Sequence, residues 1–255
     1  MSDYSSSAAL KGLAREHLNG NYGAAVRAYI SMNITLLFVS WLSMSIFGNS
    51  FGGHVFSVIL YLAYVMINGI FTGGCAYMYL NIASSQKVYG GMVFYCFKFQ
   101  TDRAVIISLF EGMLEIGASL LFIASYSMYR AANDAVYFIP MGIGTIIMVA
   151  GHLLIHAIYM PAYYMIHDFP DYKAVDIIKT CPNITRKSIG RIIMLYISII
   201  PLRLLELLSL GVAAPWAEAY VSAIFTECYL DLMKPGRAEK MMAQGKAAGT
   251  EQVAQ

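Results

Sequence analysis

The sequence predicts an all-α fold, a polytopic membrane helical bundle with about six transmembrane helices plus amphipathic interfacial helices at the N-terminus and in an inner loop. The first observation is composition: of 255 residues, 58% are hydrophobic and 13% are charged, against about 25% charged residues in ordinary soluble domains. The second is that long apolar stretches recur along the chain. The third is that lysine and arginine gather between alternate stretches, as they do in the cytoplasmic segments of membrane proteins.

Six stretches are long enough for transmembrane helices, which need roughly 20 mainly apolar residues. Their approximate bounds are 24–47, 55–80, 104–129, 136–166, 188–210 and 212–232. We therefore expect a single transmembrane domain over residues 1–233. The tail, 234–255, begins with Lys-Pro-Gly and has no sustained apolar stripe. A segment of that kind cannot bury enough apolar surface to fold, so we expect a disordered cytoplasmic tail.

The positive charges predict an orientation for these spans. All but two of the 17 Lys and Arg residues lie around the start of the first stretch, between the second and third, between or at the ends of the fourth and fifth, or after the sixth. Only Arg130 and Arg203 lie elsewhere. Because positive charge accumulates in short cytoplasmic segments, both termini of this six-span chain are predicted to be cytoplasmic.

An amphipathic pattern precedes the first span and predicts a helix at 7–19. Apolar or weakly polar residues recur at the helical spacing i, i+3, i+4, i+7, i+8, at positions Leu10, Leu13, Ala14, His17 and Leu18. Charged residues occupy the opposite face. We expect this helix to lie on the inner leaflet of the membrane. The alternative is that its apolar face packs on the protein's own cytoplasmic loops.

A second amphipathic helix is predicted in the loop after the fourth span. Pro170 is expected to end the preceding helix, and an aspartate beside it is suited to cap a new one. The apolar spacing then favours a short helix over 171–180 that ends before Pro182. We expect this helix too to lie on the membrane surface.

Ionisable side chains fall inside two of the predicted spans. Glu111 and Glu115 are one turn apart in the third span, and His152 and His156 are one turn apart in the fourth. A charged group at the centre of a span costs about 2.5–3.5 kcal/mol on insertion scales, so such groups are usually paired, face a cavity or have a function. The connection 131–135 is short, which makes the two spans antiparallel neighbours. At about 1.5 Å per residue, Glu115 and His156 are level, and we expect all four groups to converge.

Three interpretations of this cluster remain open at the level of sequence. It is a structural polar network, a proton- or ligand-binding cavity of a transporter, or a divalent metal site. In the last case Glu115, His152 and His156 are the metal ligands, because imidazole nitrogens and carboxylates suit zinc or iron. Glu111 would then serve as the base of an intramembrane metalloenzyme.

A second group of charges is predicted near the outer ends of the fifth and sixth spans. Arg203 and Glu206 are i, i+3 on the fifth span, just after Pro201, which is expected to kink that helix. Glu218 lies near the outer end of the sixth. An ion pair or triad that joins the two spans is one interpretation. A binding site for an anionic headgroup at Arg203 is the other.

Tyrosines and cysteines give little sign of chemistry. There are 19 tyrosines, and several are placed as in the aromatic belts at membrane surfaces: Tyr61, Tyr64, Tyr159, Tyr163 and Tyr164. The four cysteines stand singly and are predicted to be reduced thiols: Cys75, Cys96, Cys181 and Cys228.

Motifs spread over the chain resemble one known family. They are the opening LKGLAREHLNGNYGAAV (10–26), the residues Phe94, Phe97 and Lys98, the segments 163–170 and 187–191, and Leu210-Gly211, Pro215-Trp216, Phe225 and 229–231. In this order they are similar to bacterial integral membrane proteins of domain-of-unknown-function family 975. The chain differs at Cys96, where the family tends to have glycine, and at 186–188, where the family tends to have a Gly-His-Lys-like turn. The resemblance implies a six-helix bacterial inner-membrane protein and says nothing about chemistry.

The sequence motifs favour a non-enzymatic membrane protein. The sequence contains no Walker loop, no Gly-x-Ser-x-Gly elbow and no dinucleotide-binding glycine motif. It indicates no particular cofactor. Nor does it carry a basic, aromatic stripe typical of nucleic-acid binding. The leading hypothesis is that the bundle binds a small or amphipathic ligand for transport or hand-over to a partner. The alternatives are an assembly factor of an envelope or export complex, docking through its surface helices, and the metal-binding protein or metalloenzyme. Expected partners are the lipid bilayer and a membrane protein or second copy.

Overall fold

Helices make up all the secondary structure in the residues that this computed structural model describes, 5–45, 51–132 and 134–234. The α-helices are α1 (Ser7–Leu18), α2 (Tyr22–Ser45), α3 (Phe51–Ala83), α4 (Thr101–Ala132), α5 (Phe138–Tyr159), α6 (Ala162–Asp168), α7 (Ala174–Thr185), α8 (Ile189–Ser198), α9 (Ile200–Leu208) and α10 (Ala214–Leu232). Two 3₁₀ helices, Gly90–Phe97 and Ala135–Tyr137, precede α4 and α5. The predicted all-α class is confirmed. The predicted disordered tail lies outside the described residues, apart from Lys234.

Three helical segments are long and apolar enough to cross a membrane: Ile59–Ala83, Thr101–Ala132 and Ala135–Asp168. Their mean hydropathies are 1.6, 1.8 and 2.0, and they overlap the second, third and fourth predicted spans. Within the most apolar part of Ala135–Asp168, only 6% of the residues are buried inside the protein. Apolar surface of that extent on a helix is typical of an interaction surface such as contact with lipid. These segments indicate association with a membrane.

The other predicted spans do not meet this criterion over the described residues. They correspond to α2, to α8 together with α9, and to α10. The fifth is interrupted because α8 ends at Ser198 and α9 begins at Ile200, with Pro201 in its first turn. Proline is tolerated there because its missing N–H would have no helical partner. The sequence predicts a kink at Pro201, and the structure has a break between two helices there. The two helices are 10 and 9 residues long, each shorter than the roughly 20 residues of a span.

Helices α4 and α5 form an antiparallel hairpin, as the short connection predicted. Their backbones approach closely at Gly144, where a Cβ atom would lie 2.7 Å from the backbone nitrogen of Phe122. No other residue type fits this contact without displacing one helix. Small residues allow such close approach where no hydrophobic drive holds helices together.

Helix α1 packs on the protein itself. Leu10, Ala14 and Leu18 of its apolar face are at most 1% exposed, and the helix contacts α10 and α3. The helix begins after Ser6, whose hydroxyl accepts a hydrogen bond of 3.2 Å from the Ala9 nitrogen, a common N-cap arrangement. The predicted position on the membrane surface is therefore not confirmed. The alternative placed the apolar face on the protein's cytoplasmic loops, whereas the structure packs α1 on the helices α10 and α3.

Helix α7 extends further than the sequence indicated. It runs from Ala174 through Pro182 to Thr185, so the prediction that it ends before Pro182 is wrong. The proline removes one backbone hydrogen bond, but Ile184 and Thr185 beyond it are fully buried, which holds the last turn in place. The apolar face contacts α4, α5 and α6. As with α1, a surface position on the membrane is not confirmed.

Candidate functional site

A cavity of about 320 Å³ lies between α3, α4, α5, α6, α8 and α10. Its wall is unusually rich in hydroxyl groups for the interior of an apolar bundle. Seven tyrosines line it: Tyr61, Tyr64, Tyr79, Tyr159, Tyr163, Tyr164 and Tyr196. The other polar lining residues are Asn68, Thr72, Cys75, Ser108, Glu111, Glu115, His156 and Ser222. Val65, Met160 and Phe225 are the larger apolar ones.

Close packing of α3 on α4 positions the two glutamates. A Cβ atom at Gly69 would lie 2.3 Å from the Cβ of Ser108, so glycine at this position allows the two helices to touch. Ser108, Glu111 and Glu115 are spaced i, i+3, i+7 and therefore share one face of α4. The contact that buries Ser108 thus turns both carboxylates toward the cavity.

Glu111 lies at the buried end of the cavity. Its Oε2 accepts a hydrogen bond of 3.0 Å from the hydroxyl of Tyr163 on α6. Tyr163 itself is only 8% exposed. The bond ties α6 to α4, and it leaves the second carboxylate oxygen of Glu111 able to accept a further hydrogen bond or to pair with a cation.

Glu115 lies at the more open end of the cavity, beside both histidines of α5. Its Oε1 is 3.3 Å from His156 Nε2 and its Oε2 is 4.0 Å from His152 Nε2. The His156 side chain is half-exposed and lines the cavity. His152 does not line it, and its Nδ1 donates to the carbonyl of Met148 on its own helix at 2.8 Å. The structure thus places three of the four predicted groups in the cavity and the fourth beside it.

The arrangement gives no support to a metal site at Glu115, His152 and His156. Among the residues that the structure describes, no group of three His, Cys, Asp or Glu side chains is placed to hold a metal ion. A zinc ion needs donors that converge to about 2.0–2.2 Å from one point. The carboxylate of Glu115 instead meets the two imidazoles with different oxygens, at 3.3 and 4.0 Å.

The tyrosines are the part of the site that the sequence analysis misassigned. Tyr163 and Tyr164 were expected in an aromatic belt at the membrane surface, but each is only 8% exposed. Tyr164 stacks on Tyr229 with ring centroids 4.8 Å apart, and its hydroxyl accepts a 3.2 Å hydrogen bond from Thr226. These side chains are part of the interior wall between α6 and α10.

The outer charges form an ion triad between α9 and α10. Arg203 Nη1 is 3.0 Å from Glu206 Oε2, and Arg203 Nη2 is 3.2 Å from Glu218 Oε2. Arg203 Nη1 also contacts Glu218 Oε1. This geometry favours the predicted triad over an anionic headgroup site, because two carboxylates already surround the guanidinium. A second cavity of about 70 Å³ lies beside Glu218 and shares part of its wall with the first.

A cysteine and a histidine also meet near the 3₁₀ helix Gly90–Phe97, but without catalytic geometry. Cys96 Sγ is 4.0 Å from His167 Nε2. That nitrogen lies 2.8 Å from the Gly73 carbonyl, which can only accept, so it carries the proton and cannot act as a base. Burial also raises the pKa of the Cys96 thiol to about 12. The pair therefore lacks the thiolate and the base that a nucleophilic cysteine requires.

Two acids at the end of α10 are buried and paired; the sequence had suggested only that Glu227 reaches water at the membrane surface, and it gave no role to Asp231. Glu227 pairs with His17 of α1, Oε1 to Nδ1, at 2.7 Å. Asp231 accepts hydrogen bonds from the Ser5 hydroxyl at 2.8 Å and from Arg191 Nη1 at 2.6 Å. These contacts join α1, α8 and α10. The only signal in the sequence was that Glu227 and Asp231 are i, i+4 and share one helix face.

The chain matches no protein-family model, no curated protein and no solved structure. The resemblance to family 975 therefore stays a prediction. What the cavity binds has to be inferred from its own lining, its volume and its charge.

Proposed function

We propose that this chain is a six-span bacterial inner-membrane protein that binds a small or amphipathic ligand in the large cavity, for transport or for hand-over to a partner. The observation that carries the proposal is the placement of Glu111, Glu115 and His156 around about 320 Å³ of open space. Ligand sites in proteins typically occupy about 300–1,000 Å³ and combine an apolar wall with a few polar groups. In this proposal the protein is not an enzyme.

The free space favours a ligand site over a purely structural network. In a structural network the polar groups satisfy one another and side chains fill the interior to close packing. Among the described residues, Glu111 accepts one side-chain hydrogen bond, from Tyr163, and it faces open volume. Carboxylates inside an apolar bundle are costly. A ligand that contacts them would offset part of that cost.

The packing of α1 and α7 counts against the assembly-factor alternative. That hypothesis required the apolar faces of these two helices to dock a larger complex. Most of both faces is already covered by the chain's own helices, although Leu13 and Val175 remain exposed. A partner would have to displace α1 from α10 and α7 from α4 before it reached them.

Three features support six spans with both termini in the cytoplasm. The positive charges lie on one predicted side. Helices α8 and α9 together cover most of 188–210, and α10 covers 214–232. The hydroxyl of Ser5 lies 2.8 Å from Asp231, so the N-terminal segment and the end of α10 lie side by side, as an even number of spans requires.

We expect single cysteines to reveal this topology. In a variant whose four native cysteines are replaced, Asp134→Cys should react with a membrane-impermeant maleimide in intact cells, because Asp134 connects α4 to α5 on the predicted outer side. Lys179→Cys on α7 should react only after the membrane is disrupted. Labelling of Lys179→Cys in intact cells, or of Asp134→Cys only in disrupted ones, would contradict the orientation.

Photo-cross-linking tests ligand binding directly. A benzoylphenylalanine at Tyr64 would retain an aromatic ring in the cavity wall, whereas the same residue at Ile59, which is 54% exposed on the same helix, would face the surroundings. We expect the Tyr64 position to give one discrete added mass that the Ile59 position does not give. The same set of lipid adducts at both positions, or no adduct at Tyr64, would refute a ligand in this cavity.

A further inference from the structure

We propose that the ligand of this cavity is a small organic cation, an ammonium group that carries an apolar arm. This inference rests on the proposed function, because it assigns a chemical class to the ligand of the same cavity. Three independent features of the lining support it: its charge, its aromatic rings and its volume.

The charge of the lining disfavours an anionic ligand. Among the described residues that line the cavity, Glu111, Glu115 and His156 are the ionisable acid and base groups, and there is no lysine or arginine. With both carboxylates ionised the cavity carries two negative charges, or one when His156 is protonated. An anion would be repelled in either state. A cation would offset the charge of the carboxylates, which a neutral ligand would leave either unpaired in apolar surroundings or protonated.

The aromatic wall suits an organic cation better than an inorganic one. Seven tyrosines and Phe225 line the space, and the faces of such rings attract ammonium groups, especially where water is excluded. An inorganic cation would require several oxygen ligands at short distance. It would also leave most of the cavity and its apolar lining unused.

The two ends of the cavity suggest how the cation lies. The buried end has the carboxylate of Glu111, held by Tyr163 at 3.0 Å, and among the described residues this carboxylate forms no ion pair with a basic side chain. The open end has Glu115 paired with His156 at 3.3 Å. Val65 and Met160 are lining residues that suit an apolar arm. The volume, near the lower limit of about 300–1,000 Å³ for ligand sites, requires a small molecule.

The experiment compares small aromatic ligands of different charge on the purified full-length protein. Benzyltrimethylammonium is titrated at constant ionic strength against benzyl alcohol and benzenesulfonate, with tyrosine fluorescence and the thermal midpoint as readouts. We expect saturable binding of the cation at an affinity at least about tenfold higher than that of the other two, a difference of about 1.4 kcal/mol or more. Equal or tighter binding of benzenesulfonate or benzyl alcohol would overturn the inference without requiring any variant.

Two substitutions locate the cation within the cavity. Glu111→Gln keeps the size of the side chain and an oxygen that can accept from Tyr163, and Glu115→Gln tests the second carboxylate. We expect at least one of them to lower the affinity for the cation at least about tenfold. Glu16→Gln, on the exposed face of α1, should leave that affinity unchanged. Unchanged binding in both variants would overturn the inference. If cross-linking at Tyr64 captures a neutral or anionic molecule, the inference fails and the proposed function stands. If cross-linking captures nothing and no cation binds, both fail.

Discussion

Replacement of Asp231 by alanine is expected to destabilise the fold by about 3–5 kcal/mol, the usual cost of removing one partner from a buried ion pair. The Asp231 side chain is 3% exposed and contacts Arg191, which is 18% exposed, at 2.6 Å. The same carboxylate accepts a hydrogen bond from the Ser5 hydroxyl. Its loss should release the N-terminal segment and α8 together. The thermal midpoint of the detergent-solubilised protein and hydrogen exchange over residues 5–18 measure the two effects.

A comparison variant separates this effect from a general loss of negative charge. Asp171→Ala removes a carboxylate at an exposed position before α7, and exposed ion pairs contribute only about 0–1 kcal/mol. Asp231→Asn keeps the shape and one acceptor oxygen, so it should fall between the two. If Asp231→Ala and Asp171→Ala shift the midpoint equally, the network at the end of α10 does not stabilise α1.

Thr72→Trp is expected to abolish ligand binding in the cavity while the fold persists. Thr72 lines the cavity, and its hydroxyl donates to the carbonyl of Asn68 on its own helix at 2.9 Å. Because this bond lies within α3, its loss breaks no contact between helices. The indole ring would occupy the space of the ligand, at an overpacking cost of about 1–3 kcal/mol. We expect at least an approximately tenfold loss of cross-link yield from the photoreactive residue at Tyr64, equivalent to about 1.4 kcal/mol of binding.

Thr145→Trp is the matched control for this variant. Thr145 also donates to a carbonyl four residues earlier, that of Met141, at 2.8 Å, but it lies on the exposed surface of α5. Adding the same ring there should leave the cross-link yield unchanged. Equal losses in the two variants would mean that the bulk of the indole acts on the membrane or on folding, and that the cavity is not the binding site.

The predictions that succeeded rest on local spacing. The bounds of α4, Thr101–Ala132, lie close to the predicted 104–129, because an apolar run ends where polar residues begin. The pairing of α4 with α5 followed from a connection too short for any other arrangement. Glu115 and His156 were placed level from the rise per residue, and their side chains are 3.3 Å apart.

The predictions that failed concern what covers an amphipathic face. Leu10, Ala14 and Leu18 have the same spacing whether they face lipid or protein, and only the packing of α10 on α1 distinguishes the two. The tyrosines of α6 gave the same ambiguity, since an aromatic side chain with a polar tip suits both a membrane interface and a cavity wall. The extension of α7 through Pro182 depends on burial of the turn beyond it, which local sequence does not encode.

Contacts between distant parts of the chain were beyond the sequence analysis. His17 and Glu227 are separated by 210 positions, and no pattern in the sequence pairs them. The cavity is lined by residues from six helices, so no single stretch of sequence predicts it. The sequence did show that Glu111 and Glu115 lie inside a predicted span, where a charged group is unfavourable. That observation directed attention to α4 and α5, the helices that bring Glu115 and His156 together.

Native mass spectrometry of the gently solubilised protein tests the central claim most directly, that the cavity holds a ligand. The wild-type chain, Thr72→Trp and Thr145→Trp are compared under identical conditions. We predict that the wild type and Thr145→Trp carry the same small added mass and that Thr72→Trp does not. A bare wild-type protein, or an added mass that is the same in all three proteins, would contradict the account.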